Sequence, residues 1–134
     1  MTYLPQARTS WQLLVGDESA LPAILAILED APASLVAEVF LEVPETADIR
    51  PDIVAPDGVR VHWLARDGAA GLPGALALET VSQAALPRGS FYTWVAGESK
   101  MATGVRRHLV NDRGVPKSDI AFFGYWRHGR SSPG

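Results

Sequence analysis

The sequence predicts an α/β domain, a three-layer αβα arrangement on a five-stranded, mostly parallel sheet. Apolar runs rich in β-formers alternate along the chain with stretches of helical period, the pattern of strands joined by crossover helices. WQLLV at residues 11–15 is an unbroken apolar run ended by Gly-Asp, which marks a strand covered on both faces. The 134 residues, 47% hydrophobic and 20% charged, suit one domain that folds without disulfide or metal.

Residues 1–10 form an extension ahead of the domain, which runs over 11–129, and 130–134 a Ser/Pro/Gly tail. After the first strand at 11–15, Leu21, Ile24, Leu25 and Leu28 recur at helical spacing, predicting a helix over 20–28 that Ala31-Pro32 ends. LVAEVFLEV at 35–43 reads as the second strand. Strand, helix and strand make a βαβ unit with a right-handed crossover. The polar stretch 44–58, with three prolines, is a connection holding at most a helical turn. A third strand at 59–64, a glycine-rich loop at 66–73 and a helix at 75–83 follow. A fourth strand at 91–96, a helix at 100–112 and a fifth strand at 120–126 complete the alternation.

Composition narrows the function classes. There are no cysteines, which excludes thiolate metal sites and iron–sulfur ligation. None of the three histidines has metal-ligand spacing. No apolar run reaches the roughly 18 residues of a membrane span, and the first ten residues lack a secretory core. A cytoplasmic protein without membrane contact is expected. The net charge of −3 conceals an asymmetry: residues 1–98 hold five Lys/Arg against thirteen Asp/Glu, and residues 99–134 seven against two. A basic end on an acidic body points to an anionic ligand there, or to a solvated helix face. Nucleic acid is not expected, because the whole chain is acidic and basic residues do not interleave with stackable aromatics.

In such a sheet, ligands bind beyond the carboxyl ends of the strands where strand order reverses. Two strand-to-helix turns are candidates. In Gly16-Asp17-Glu18-Ser19-Ala20-Leu21-Pro22, the free amides of a helix start attract phosphate and Gly16 permits close approach. The residues alone equally suit Asp17 or Ser19 as a helix cap. The Gly-x-Gly-x-x-Gly fingerprint is absent. The second turn is Ala96-Gly97-Glu98, in which Glu98 suits the start of the following helix. Glu42 ends the second strand, where it suits either a ribose contact that disfavours a 2′-phosphate or a solvated charge. Arg66 follows the third strand and can receive a phosphate. No residue is assigned a catalytic role, and no metal site is expected.

GDESALP at 16–22, AGES at 96–99 with Met101 just inside the helix, and GYWR at 124–127 occur in order and at consistent intervals. Together, over Trp11 to about Gly129, they resemble the NAD(P)H-binding domain of siderophore-interacting proteins. These are ferric-siderophore reductases of the ferredoxin-NADP reductase superfamily. The resemblance implies that superfamily's nucleotide-domain fold, with NADH or NADPH held by Gly16, Asp17, Glu18, Ser19, Ala20, Glu42, Arg66, Ala96, Gly97, Glu98 and Met101. Ala96 stands where the wider superfamily has a thiol, so no thiol contact applies. Tyr125 or Trp126 would face the flavin. Lys100, Arg106, Arg127 and Arg130 would attract the anionic ferric siderophore. In such reductases hydride passes from NAD(P)H to FAD and electrons pass on to ferric iron. The ten residues before Trp11 do not hold the family's flavin barrel, so FAD is expected only through a separate flavin-binding subunit or domain. The alternative is a stand-alone, non-catalytic binding or regulatory module that keeps the fold, and a homodimer that hides the aromatic end is compatible with either reading.

Overall fold

In the computed structural model, which describes residues 3–5, 8–69 and 71–129, five strands form one sheet in the order β3-β2-β1-β4-β5. They are β1 (Trp11–Gly16), β2 (Ala37–Val43), β3 (Val59–Ala65), β4 (Phe91–Glu98) and β5 (Ile120–Trp126). Every pairing is parallel, so the mostly parallel sheet of the sequence reading is wholly parallel. Helix α1 (Leu21–Glu29) covers one face, while α2 (Ala75–Gln83) and α3 (Ser99–Arg113) cover the other. This is the expected three-layer αβα architecture. Single 3₁₀ turns lie at Thr46–Asp48 and Lys117–Asp119.

The central strands explain the apolar runs. Leu14, Val39, Leu41 and Trp94 face α1, whose Ile24 and Leu28 pack on them, and Leu13, Val15, Phe40 and Val95 face α2 and α3. Burying each large side chain contributes roughly 1.5–3 kcal/mol. Strand boundaries differ from the expectation by a residue or two. Leu35 and Val36 stand outside β2, and Gly97 and Glu98 extend β4. The extension matters, because it carries β4 past the end of β1 and into the ligand end of the sheet. No helix among the described residues is long and apolar enough to cross a membrane.

The order reverses between β1 and β4, whose register pairs Gly16 with Ala96. The turns leaving these two strands therefore flank the crevice at the carboxyl end. Helices α2 and α3 meet behind it at Gly74, the residue before α2, which has φ +91°. A Cβ there would lie 2.5 Å from the Met101 Cβ. Gly74→Ala is expected to cost roughly 2–3 kcal/mol from backbone strain and overpacking together. The urea unfolding midpoint measures this, and an unchanged midpoint would contradict the packing described.

All three tyrosines hold their protons more tightly than usual. Burial is the largest cause in each. At Tyr3 a bond to Gln12 opposes it and Tyr92 adds to it, at Tyr92 a bond from the Leu4 amide opposes it, and at Tyr125 the charge of Asp17 adds to it. A raised folded-state value means the stabilisation is complete below the unfolded value of about 10 and is lost as pH climbs through the folded one. Absorbance at 295 nm should therefore show tyrosinate only above pH ~10 in the native protein, with the midpoint returning to about 10 in denaturant.

Candidate functional site

The crevice is organised by Asp17, which is 1% exposed. Its Oδ1 accepts from the Ser19 amide at 2.9 Å and the Ser19 hydroxyl at 2.5 Å. Its Oδ2 accepts from the Glu98 amide at 2.8 Å and the Trp126 indole Nε1 at 2.9 Å. Four donors from three segments thus meet on one carboxylate. The side chain leans over Gly97, where a Cβ would lie 2.6 Å from the Asp17 Cγ at a φ of +144°. The close approach at Gly97 is therefore made by Asp17. Gly16 has a similar structural role, since a Cβ there would lie 2.7 Å from Ile24 Cδ1. The reading of Asp17 or Ser19 as cap of α1 is corrected: the N-cap is Ala20, without a side-chain cap bond. The Glu98 and Trp126 donors draw the Asp17 carboxylate inward, and Ser19 follows it.

Glu98 caps α3. Its Oε1 accepts from the Lys100 amide at 2.8 Å and the Met101 amide at 3.1 Å, and its Oε2 from the His128 amide at 3.2 Å. The Met101 side chain is buried against Gly74, and Ala96 is buried within β4.

Glu42 is fully buried, which excludes the solvated strand-end alternative. Its Oε2 accepts from the Gly74 amide at 2.6 Å and its Oε1 from the Ala77 amide at 2.9 Å, so it closes the start of α2. Arg66 donates one guanidinium nitrogen to Glu42 and the other to Glu18. Burial works against the Arg66 charge, but its bonds and attraction to Glu18 and Glu42 outweigh it and raise the pKa above the ordinary arginine value. The second oxygen of Glu18, Oε1, is buried without a donor.

Two of the three helix starts are thus closed by the protein's own carboxylates, α2 by Glu42 and α3 by Glu98. The start of α1 has neither a side-chain cap nor an acidic residue in its first turn. A cleft of about 400 Å³ opens beside it, with Glu18, Leu21, Val43, Pro44, Asp48 and Arg50 among its lining residues. The uncapped helix start leaves free amides that attract an anion, and the cleft beside it is partly apolar. The space over Gly97 is filled by Asp17.

Along β5 the register slips between Gly97 and Glu98, pairing Gly97 with Gly124 and Glu98 with Trp126. Tyr125 is the extra residue and packs into the α1-side core with its hydroxyl buried and unbonded. Trp126 is turned to Asp17, and its carbonyl accepts from the Ser99 hydroxyl at 3.0 Å. That bond places exposed Lys100 and Arg127 each next to one of its partners, at the crevice mouth. Arg106 stands apart, six residues and about 9 Å along α3, with its guanidinium 4.9 Å from the Phe122 ring centroid. Arg130 lies outside the described residues. Sequence reasoning did not single out Arg113. It bonds the carbonyls of Val81, Ser82 and Ala84 at the end of α2, and its position in the last turn of α3 was the available signal.

A parallel sheet with its crevice at the β1/β4 reversal is a doubly wound α/β domain, here of ferredoxin-reductase-like fold. The ferredoxin reductase of carbazole 1,9a-dioxygenase shares this fold, at a TM-score of 0.54 and 18% identity over 91% of this chain and 34% of that one. Within the class the chain belongs to the siderophore-interacting protein family, whose model matches residues 9–129. It is 36% identical over 123 residues to the ferric vibriobactin reductase ViuB of Vibrio cholerae, covering 90% of this chain and 44% of ViuB. A siderophore utilization protein from T. fusca superposes with a TM-score of 0.79 at 35% identity, over 96% of this chain and 48% of that one. The chain spans about half the length of these relatives.

Asp17→Asn places an amide NH₂ against donors that the carboxylate accepts. The variant is expected to lose roughly 2–3 kcal/mol and to shift the Trp126 indole N–H resonance. Urea unfolding and a proton–nitrogen NMR spectrum measure the two effects, and an unmoved indole signal would refute the contact.

Proposed function

We propose that this chain is the NAD(P)H-binding domain of a ferric-siderophore reductase, acting with a flavin-binding domain or subunit that holds FAD. The observation that carries the reading is the convergence of the three motif segments on one crevice: the Glu98 amide and the Trp126 indole both donate to Asp17 there. The start of α1 and the cleft beside it hold the nucleotide's phosphates and adenosine, and Arg66 stands within reach of that turn through Glu18. Glu98 and Asp17 fix the β4–α3 turn against which the nicotinamide end would lie. Trp126, held by Asp17, presents an aromatic surface toward the flavin. Lys100 and Arg127 at the mouth draw in an anionic ferric chelate, while Arg106 is committed to Phe122.

When bound, NAD(P)H would supply a hydride to the FAD of the partner, and the reduced flavin would supply single electrons to ferric iron. This chain's residues bind, orient and steer. The reliance on reduced nucleotide suits the cytoplasm. The ferric substrate class follows from ViuB, whose name specifies ferric vibriobactin.

Calorimetry with NADH and NADPH tests the reading, together with reduction of a ferric catecholate by the chain mixed with the flavin-binding half of a relative. Micromolar binding of one or both nucleotides and nucleotide-dependent reduction are expected, and the two affinities fix the preference. Absence of both would leave the non-catalytic binding module, and sedimentation would then show whether the chain is a homodimer.

A further inference from the structure

Arg66 is shared unequally between two carboxylates. Glu42 is fully buried and accepts from three donors, Arg66 and the amides of Gly74 and Ala77. Among the described residues Glu18 has only Arg66 as a side-chain hydrogen-bond donor and its other oxygen is buried without a partner, and its side chain is 34% exposed. Breaking the Glu42 arm would leave a buried charge short of a donor. Breaking the Glu18 arm returns a poorly satisfied carboxylate to water, where both oxygens are solvated. The two arms of one guanidinium thus differ in strength, and the weak one meets Glu18 at the turn that begins α1; Glu18 lines the cleft there, while Arg66 itself lines a smaller pocket with Leu72, Ala75 and Glu79.

We infer that Glu18 is an internal stand-in for a ligand phosphate on Arg66, and that a phosphate group binds by displacing it. This rests on the proposed nucleotide reading and deepens it: affinity at the crevice is set by competition between the ligand and the chain's own Glu18. A guanidinium offers two parallel donors to a phosphate as readily as to a carboxylate, so the exchange retains the charge pairing of Arg66. Glu42 keeps the guanidinium in position throughout. Both phosphate sources in the ligand class, the bridging pyrophosphate and a 2′-phosphate, satisfy this chemistry.

The test is calorimetry of the wild type, Glu18→Gln and Glu18→Gln/Arg66→Lys with NADH, NADPH and inorganic pyrophosphate, at matched ionic strength. Glu18→Gln should tighten binding roughly fivefold, the scale of one partly exposed ion pair. Lysine keeps a charge for Glu42 but has no second arm, so the double variant should lose the gain while remaining folded by circular dichroism. Equal gains for NADH and NADPH assign the bridging pyrophosphate, and a gain for NADPH alone assigns the 2′-phosphate. A silent wild type with a binding Glu18→Gln variant also supports the latch. Nucleotide binding by the wild type with no gain in Glu18→Gln overturns the latch and leaves the nucleotide reading standing. A gain that survives Arg66→Lys overturns the role of Arg66. Silence of wild type and variant toward all three probes overturns both the latch and the nucleotide reading.

Discussion

The ligand end of this domain depends on the burial of one carboxylate. Asp17 leaves β1 at the point where strand order reverses, and a charged group removed from water is tolerated only when its lone pairs are occupied. Meeting that requirement draws in the Glu98 amide from β4, the Trp126 indole from β5 and Ser19 from its own turn. The geometry of the crevice follows. Residue 97 has no side chain because Asp17 occupies that space. The end of β5 slips its register so that Trp126 faces Asp17 and Tyr125 packs into the α1-side core. Three chain segments far apart in sequence are thereby fixed by a single group.

The same device recurs at the neighbouring strand ends. At the ends of β1, β2 and β4 the carboxylates of Asp17, Glu42 and Glu98 each accept backbone amides of a turn or helix start, which for Glu42 is that of α2, beyond β3. A helix start leaves unpaired amides and a partial positive charge, and an internal carboxylate neutralises both. Applied to α2 and α3, it closes those helix starts to an external anion. Applied to α1 it fails to close, because Asp17 is turned away and Glu18 is held by Arg66. With both carboxylates of its own motif engaged elsewhere, the start of α1 is the one of the three that no side chain caps.

These relations explain what the sequence could and could not convey. The alternation of strands and helices was legible because burial on both faces writes long apolar runs, and β5 and α2 were placed to the residue. The crevice was legible because topology puts ligand sites at strand ends, and because the three motifs carried a family resemblance. The partners of the polar residues were not legible. Asp17 meets Trp126 across 109 positions, and Glu42 meets Gly74 across 32. No local pattern encodes such pairings. Cap chemistry led to the expectation that Asp17 or Ser19 closes α1, and the tertiary donors outweighed it. The capping role of Glu98 was read correctly for the same reason: its capping partners are two and three residues away, whereas its bond from the His128 amide was not foreseen.

Coupling between the two sides of the crevice follows from this construction. The aromatic surface of Trp126 and the amide of Glu98 are held by the same oxygen of Asp17, while the Ser99 hydroxyl ties the Trp126 backbone to the start of α3. Neither the first turn nor the end of β5 can move without breaking a bond within this unit. The Glu18–Arg66–Glu42 chain, by contrast, has its weak link at the α1 turn and its strong link in the core. The crevice therefore pairs a rigid wall, built on Asp17 and Glu98, with an adjustable one at Glu18. That division suits a site in which one end of a ligand must be oriented for reaction and the other has only to be held.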